Sequence, residues 1–178
     1  MALKSTIYKA ELQVADMDRH YYADHALTIA CHPSETAERM MVRVLAFALN
    51  AHELLAFGKG LSDVEEPDLW RRDLTGAVQQ WIEVGQPDER AILKACGKAN
   101  AVSVYAYGTS TPQWWKATGP KVERARNLSV FALDPEAVLA LGKLAARSMR
   151  LQCTLQEGDI WMRDDADAVQ ITLTSLKA

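Results

Sequence analysis

The chain has 178 residues, of which 49% are hydrophobic and 24% are charged, a composition typical of soluble globular proteins. Its net charge of −3 provides no overall attraction for nucleic acid, so any such binding must depend on a local basic surface. No uncharged apolar stretch reaches the roughly eighteen residues of a membrane-spanning helix. No signal-peptide core follows Met1, and we therefore expect a cytoplasmic protein without membrane association.

The N-terminal part of the chain is predicted to form a β-hairpin followed by a helix. Residues 5–15 alternate polar and apolar side chains, as in a strand with one buried face, and Tyr21–Cys31 forms a second strand-like segment. Ser34 is a suitable N-cap for a helix that ends near Asn50. Apolar side chains at three- and four-residue spacing give this helix a core-facing side.

The middle of the chain alternates strands with helices. The predicted strands are Leu54–Phe57, Val78–Val84, Ala101–Tyr107 and Leu128–Leu133. The predicted helices run from Pro87 to about Gly97, from Gln113 to a break at Gly119–Pro120, and from Asp134–Pro135 to about Met149.

A meander of short strands is predicted to close the chain, over Leu151–Leu155, Ile160–Arg163 and Val169–Leu173. No internal repeat or linker interrupts the pattern. The sequence therefore predicts a single α/β domain over residues 1–178, with a mixed central β-sheet flanked by helices and antiparallel strands at both ends.

The three cysteines do not indicate a metal or redox site. Cys31, Cys96 and Cys153 are far apart, lie among apolar neighbours and show no zinc-finger or redox-pair spacing. Three buried free thiols are the favoured interpretation. The four histidines likewise share no ligand spacing.

Two carboxylates at the ends of apolar segments are candidates for a metal site. Asp68 follows an acidic loop, and Glu83 lies near the end of the strand Val78–Val84. Mg²⁺ prefers oxygen ligands and is commonly held by one or two carboxylates together with substrate phosphates. Acidic loop residues are also common on solvated surfaces, so a solvated pair remains an alternative on the residues alone.

A basic stripe follows this pair directly. Arg90, Lys94 and Lys98 stand at four-residue spacing and therefore share one face of the predicted helix. A cation close to Glu83 would stabilise developing negative charge on a substrate. A solvated helix face is the alternative, and it is favoured for Lys98.

Further basic and acidic residues complete the set of candidates. Lys116, Lys121 and Arg124 follow a pair of tryptophans, a combination that suits binding of a phosphate backbone with base stacking. The alternative, which is favoured for tryptophans at the start of a helix, is that they belong to the core. Glu38 in the first helix is a candidate site acid, or alternatively an ion-pair partner of a neighbouring arginine.

Four segments carry a family resemblance: Gly60–Ser62, Glu66–Trp70, Trp81–Glu89 and Lys94–Gly97. On these segments the sequence resembles the YaeQ family over essentially its whole length. The resemblance implies a fold similar to the PD-(D/E)XK restriction-endonuclease-like superfamily. In that superfamily, two acidic residues bind Mg²⁺ and a lysine two places after the second acid assists phosphodiester hydrolysis.

The resemblance assigns roles to individual residues. Asp68 matches the first acid of the pattern and Glu83 the second, whereas Gly85 occupies the position of the lysine. The resemblance implies that Lys94, or less favourably Arg90, replaces that lysine. It also implies that Gln86 and Glu38 shape the site, the latter as the helix acid that some members add.

Two functions follow from these observations. The first is a Mg²⁺-dependent nuclease that uses Asp68 and Glu83 as metal ligands and Lys94 as the cation. The second is a non-catalytic protein that binds nucleic acid or a regulatory protein and retains the nuclease fold. The missing motif lysine favours the second function, and the intact acid pair favours the first.

Overall fold

The computed structural model describes residues 4–178, which form four α-helices and eleven strands. The helices are α1 (Ala37–Leu49), α2 (Glu89–Lys98), α3 (Thr111–Val122) and α4 (Pro135–Lys143). The strands are β1 (Thr6–Asp16), β2 (Tyr21–Cys31), β3 (Leu55–Phe57), β4 (Leu69–Arg72), β5 (Val78–Val84), β6 (Ala101–Ala106), β7 (Leu128–Leu133), β8 (Ser148–Gln156), β9 (Asp159–Arg163), β10 (Ala168–Ile171) and β11 (Leu173–Lys177).

The chain divides into two compact units. The first unit comprises the chain up to Ala51 together with Glu136–Thr172, and the second comprises His52–Pro135 together with Leu173–Ala178. The prediction that residues 1–178 form one domain stays a prediction.

The first unit contains a five-stranded mixed sheet in the order β10-β9-β8-β1-β2. Strands β1 and β2 form the predicted antiparallel hairpin, whereas β1 and β8 are parallel. The alternation in β1 places Ala10, Leu12 and Val14 on the buried face. Helix α1 contributes Met41 and Leu45, which are almost completely buried, and its apolar stripe is therefore part of the core.

Helix α1 begins later than its predicted N-cap. The Thr36 hydroxyl accepts a hydrogen bond from the Arg39 amide at 3.1 Å and caps the helix. Ser34, the predicted cap, instead pairs its hydroxyl with His32 Nδ1 at 2.7 Å. Both side chains carry a hydroxyl that can cap a helix. Because the Ser34 hydroxyl is bonded to His32 in the turn before α1, Thr36 is the cap.

A buried ion-pair group, which we call the arginine cluster, lies at the start of α1. The carboxylate of Glu35 contacts the guanidinium groups of Arg39 and Arg43, and its side chain is only 2% exposed. Arg43 also donates to the Ala30 carbonyl at 3.0 Å. These bonds satisfy charges that would otherwise be costly to bury.

The second unit contains a six-stranded mixed sheet in the order β11-β7-β6-β5-β4-β3. Strands β5, β6 and β7 are parallel neighbours, and α2 and α3 form the connections between them, as parallel pairing requires. The outer strands pair antiparallel. A hydrophobic core is formed by Trp81, Ile92, Ala95, Val102, Val104, Val122, Leu128 and Val130.

The prediction of one central sheet was wrong, because the strands form two sheets. The predicted C-terminal meander is confirmed by β8, β9 and β10, which pair antiparallel in sequence. A further strand that was not predicted, β11 (Leu173–Lys177), pairs with β7 of the other sheet. Alternation of side chains identifies a strand but does not specify its partner, and this explains the error.

The predicted break of the third helix was also wrong. Helix α3 continues through Gly119 and Pro120 to Val122. Gly119 packs against Trp115, so closely that a Cβ atom would lie 2.9 Å from the indole Cε2. Pro120 lies in the last turn, so it removes one backbone hydrogen bond but leaves almost no helix beyond it to be kinked.

The cysteines follow the prediction of free thiols. Cys31 and Cys153 are buried and Cys96 is half-buried. Burial raises the pKa of the Cys153 thiol to about 12, which makes it unreactive near neutral pH. In the part of the chain that the structure describes, no helix is both long and apolar enough to cross a membrane.

Candidate functional site

The structure brings the two predicted acids to neighbouring positions in the second unit. Strands β4 and β5 are antiparallel, and Leu69 pairs with Ile82. Asp68 directly precedes Leu69, and its carboxylate reaches the backbone amide of Val84, the residue next to Glu83. Glu83 lies near the carboxyl end of β5, the end of a parallel strand at which ligands commonly bind in α/β sheets.

Asp68 is held firmly in a buried position. The residue is 1% exposed, and its Oδ2 accepts a hydrogen bond from the Val84 amide at 2.8 Å. Gly60 approaches the other oxygen so closely that a Cβ atom would lie 2.6 Å from Oδ1. Gly60 also has a φ of +49°, a conformation that favours glycine. The backbone around Asp68 therefore fixes the orientation of its carboxylate.

Glu83 is half-buried and is oriented by an aromatic side chain. Its Oε1 accepts a hydrogen bond from the indole Nε1–H of Trp81 at 2.8 Å, so both side chains lie on one face of β5, as their spacing predicted. The ring of Trp81 is fixed in turn by an edge-on contact with Trp70, with 6.0 Å between the centroids.

Glu83 and helix α2 line one cleft. Its cavity volume is about 280 Å³, and its lining consists of Val64, Trp81, Glu83, Asp88, Arg90, Ala91, Lys94, Ala95 and Lys98. The three basic residues predicted to share a helix face therefore meet in the same cleft as Glu83. The cleft thus combines two carboxylates, Glu83 and Asp88, with three cations.

The start of α2 differs from the prediction. The helix begins at Glu89 rather than Pro87, because the Asp88 side chain accepts a hydrogen bond from the Ala91 amide at 2.8 Å and acts as the N-cap. The shift of two residues leaves the positions of Lys94 and Lys98 within the helix unchanged.

The two lysines of α2 contact an acidic residue that sequence reasoning missed. Lys94 Nζ lies 3.0 Å from Oε1 of Glu65, and Lys98 Nζ lies 3.0 Å from Oε2. We call this group the lysine cluster. Hydrogen bonds from Lys98 and Lys94 lower the pKa of Glu65. Lys98 also lies 5.7 Å from the ring centroid of Trp81, within cation–π range.

The signal for Glu65 in the sequence is weak. It belongs to an acidic segment, Asp63–Glu66, and any of its carboxylates could equally be solvated. The pairing with α2 spans 29 residues to Lys94 and 33 to Lys98, so it depends on the tertiary structure.

Gln86 connects two loops. Its Nε2 donates to the Tyr107 carbonyl at 2.9 Å and to the Ser110 hydroxyl at 3.0 Å. These bonds tie the turn after β5 to the loop after β6. Gln86 is not among the residues that line the cleft, so its contribution to the site is to hold this turn in place.

The remaining predicted residues lie outside the cleft lining. Lys121 Nζ lies 3.4 Å from Glu89 Oε1 and links α3 to α2, whereas Lys116 and Arg124 are exposed. Glu38 belongs to the first unit, where its side chain packs against Gly142 of α4.

The donors at Asp68 and Glu83 are compatible with Mg²⁺ in their chemistry. Both supply carboxylate oxygens, the ligands that this ion prefers, and one or two carboxylates suffice when water and substrate phosphate complete the shell. Among residues 4–178, no three His, Cys, Asp or Glu side chains form a group that could hold a metal ion. A site here would therefore be formed by two carboxylates rather than by an all-protein cage.

Comparison with known proteins identifies the family. The family model described as YaeQ protein matches residues 1–173. The YaeQ proteins of Salmonella typhi and Escherichia coli K12 are 47% and 46% identical to this chain over 176 residues, covering 98% of this chain and 97% of each relative.

Two crystal structures share the fold. The YaeQ protein from Xanthomonas axonopodis pv. citri is 50% identical, with a TM-score of 0.94 over 98% of this chain and 99% of that one. The YaeQ protein from Pseudomonas syringae is 38% identical, also with a TM-score of 0.94, over 98% of this chain and 97% of that one. These matches extend over nearly the full length of this chain and of each relative, and the chain therefore belongs to the YaeQ family.

Proposed function

We propose that this protein is a Mg²⁺-dependent phosphodiesterase that acts on nucleic acid and is built on a variant of the PD-(D/E)XK restriction-endonuclease-like fold. The observation that carries the proposal is the shared cleft, in which Glu83 lies with Arg90, Lys94 and Lys98. The hydrogen bond that the Asp68 carboxylate accepts from the Val84 amide, next to Glu83, supports the inclusion of Asp68 as the second acid.

The proposed roles are those that the family resemblance implies for these residues. Asp68 and Glu83 would hold Mg²⁺, which when bound supplies charge neutralisation at the phosphate and activation of water. The ammonium of Lys94 stabilises negative charge on the phosphate. This cation comes from α2 because Gly85 occupies the position of the motif lysine.

The other basic residues extend the contact with the nucleic-acid backbone. Arg90 and Lys98 lie in the cleft on either side of Lys94 along the helix. Lys98 contacts the same phosphate as Lys94, and Arg90 neutralises a neighbouring one. Lys116, Lys121 and Arg124 follow on and after α3, beyond the cleft lining.

A cleavage assay tests the proposal. Labelled single- and double-stranded DNA and RNA are incubated with the protein in Mg²⁺ or Mn²⁺. We expect Asp68→Asn and Glu83→Gln to lower the cleavage rate by about two orders of magnitude, because each removes a charged metal ligand. Glu53→Gln is the matched control, since it neutralises an exposed carboxylate outside the cleft lining. Cleavage by Glu83→Gln at the rate of this control would reject the assignment.

A non-catalytic binding protein is the second candidate, and a specific observation favours it. The Asp68 carboxylate is buried and already accepts a backbone hydrogen bond, and no lysine stands two places after Glu83. Such a protein would bind a labelled oligonucleotide but would not cleave it in the presence of either Mg²⁺ or Mn²⁺. Glu83→Gln would then leave binding intact or strengthen it, since it removes a negative charge from the cleft.

A further inference from the structure

The lysine cluster is an anion-binding arrangement that is already filled by the protein itself. Lys94 and Lys98 stand one helical turn apart, and their ammonium groups lie on the two separate oxygens of the Glu65 carboxylate, at 3.0 Å each. Two donors therefore converge on one oxyanion with a single negative charge.

The loop that carries Glu65 is fixed at its base. The Gly58 amide donates to the Asp68 carbonyl at 3.0 Å, and the Gly60 amide donates to the Pro67 carbonyl at 3.2 Å. Near the tip, the Glu65 amide donates to Asp63 Oδ1 at 2.9 Å and forms a local turn. Glu65 is therefore presented to α2 by a loop whose ends are closed independently of α2.

The bonds between this loop and α2 are readily exchangeable. The side chains of Glu65 and Lys94 are each 58% exposed, and that of Lys98 is 38% exposed. Exposed ion pairs contribute little to stability, since water and salt ions compete for both partners. A second anion can therefore displace Glu65 without disturbing a buried part of the fold.

We propose that Lys94 and Lys98 form a binding site for one backbone phosphate of a nucleic acid, and that Glu65 is an internal competitor that occupies this site until the phosphate displaces it. A phosphodiester resembles the carboxylate in the relevant respects, since it offers two non-bridging oxygens and one negative charge. Each ammonium exchanges one carboxylate oxygen for one phosphate oxygen. The lysine cluster therefore sets the affinity of the cleft for polyanions.

This inference rests on the proposed function for the identity of the anion, but it can be measured without catalysis. The probe is a short fluorescein-labelled oligothymidylate, and binding is followed by fluorescence anisotropy in EDTA at several salt concentrations. Because metal is absent, cleavage does not contribute to the signal.

We expect Glu65→Gln to tighten binding by about three- to tenfold, since the lysines are then released from their internal partner. The matched control is Glu66→Gln, which makes the same charge change at the next residue. Glu66 pairs with Lys59 at 3.8 Å rather than with α2, so we expect a smaller gain from the general change in charge.

A double variant isolates the direct interaction. In a Lys94→Gln/Lys98→Gln background, Glu65→Gln should produce no more gain than Glu66→Gln, because the site itself has been removed. Equal gains from Glu65→Gln and Glu66→Gln in the unmodified background would overturn the proposal, as would an undiminished gain from Glu65→Gln in the lysine-deficient background.

The outcomes also separate this inference from the proposed function. A selective gain from Glu65→Gln in a protein that never cleaves supports the phosphate site and rejects hydrolysis. Metal-dependent cleavage that requires Glu83, in a protein whose Glu65→Gln and Glu66→Gln variants bind alike, supports hydrolysis and rejects the competitor.

Discussion

The arginine cluster of the first unit and the lysine cluster of the second unit have the same plan. In each, two cations one turn apart on a helix contact the oxygens of one carboxylate. They differ in burial, since the side chain of Glu35 is 2% exposed and that of Glu65 is 58% exposed.

This difference separates structural ion pairs from exchangeable ones. In the arginine cluster, water has little access to replace a lost partner, and the remaining charges would be largely buried without compensation. In the lysine cluster, water and salt replace either partner at little cost. The same arrangement of charges therefore maintains the fold in one unit and controls access to a cleft in the other.

The largest effect is expected from Glu35→Gln. This substitution keeps the shape of the side chain but leaves the Arg39 and Arg43 guanidinium groups without their carboxylate, and we expect the free energy of unfolding to fall by about 3 kcal/mol or more. Urea denaturation followed by circular dichroism measures this change. Glu65→Gln is the comparison, and its unfolding midpoint should match that of the unmodified protein. Equal losses in the two variants would contradict the distinction between the clusters.

A smaller effect is expected on polyanion binding when the lysines are replaced. Lys94→Gln and Lys98→Gln should each weaken binding several-fold. The double variant should also reduce the slope of log affinity against log salt concentration by about 1, because the two lysines contact one phosphate. Lys143→Gln, in α4 of the first unit, is the control. If the salt dependence of binding is the same in the lysine variants of α2 as in Lys143→Gln, these lysines do not contact the bound polyanion.

The smallest effect concerns pH and the first unit. Burial lowers the pKa of His25 below its usual value of 6.5, although Asp24 opposes the shift. The neutral ring hydrogen-bonds the Tyr21 hydroxyl at 2.8 Å. Because the pKa of His25 is lower in the folded protein, the unfolded chain binds a proton first as the pH falls. The contribution of neutral His25 to the free energy of unfolding is therefore present above pH 6.5 and is lost as the pH falls below it.

Urea midpoints between about pH 7.5 and pH 5.5 measure this dependence on His25. We expect the midpoint of the unmodified protein to fall toward the lower pH, and the midpoint of His25→Gln to fall less. Parallel curves for the two proteins would assign the pH dependence to other groups.

Local features of this protein were largely predictable from its sequence. The strands Tyr21–Cys31, Val78–Val84 and Leu128–Leu133 were predicted with the bounds that the structure shows, since alternating or continuous apolar runs define strands without reference to their neighbours. The basic face of α2 was also predictable, because four-residue spacing determines which side chains share a helix face.

Features that depend on pairing were not predictable in the same way. The division of the strands into two sheets depends on which edges meet, and periodicity carries no such information. The burial of Asp68 follows from the close approach of Gly60, and the pairing of Glu65 with α2 follows from the path of a loop. Each of these contacts is formed between segments that only the folded chain brings together.

The close approach of Gly60 to Asp68 offers a way to disturb the acid pair while keeping every ionisable group of the protein. A methyl group at position 60 would collide with the carboxylate oxygen and would also strain a backbone at φ +49°. Gly60→Ala would thus reorient the Asp68 carboxylate without removing it from the protein. The geometry of the pair thereby becomes an experimental variable that is separate from its electrostatics.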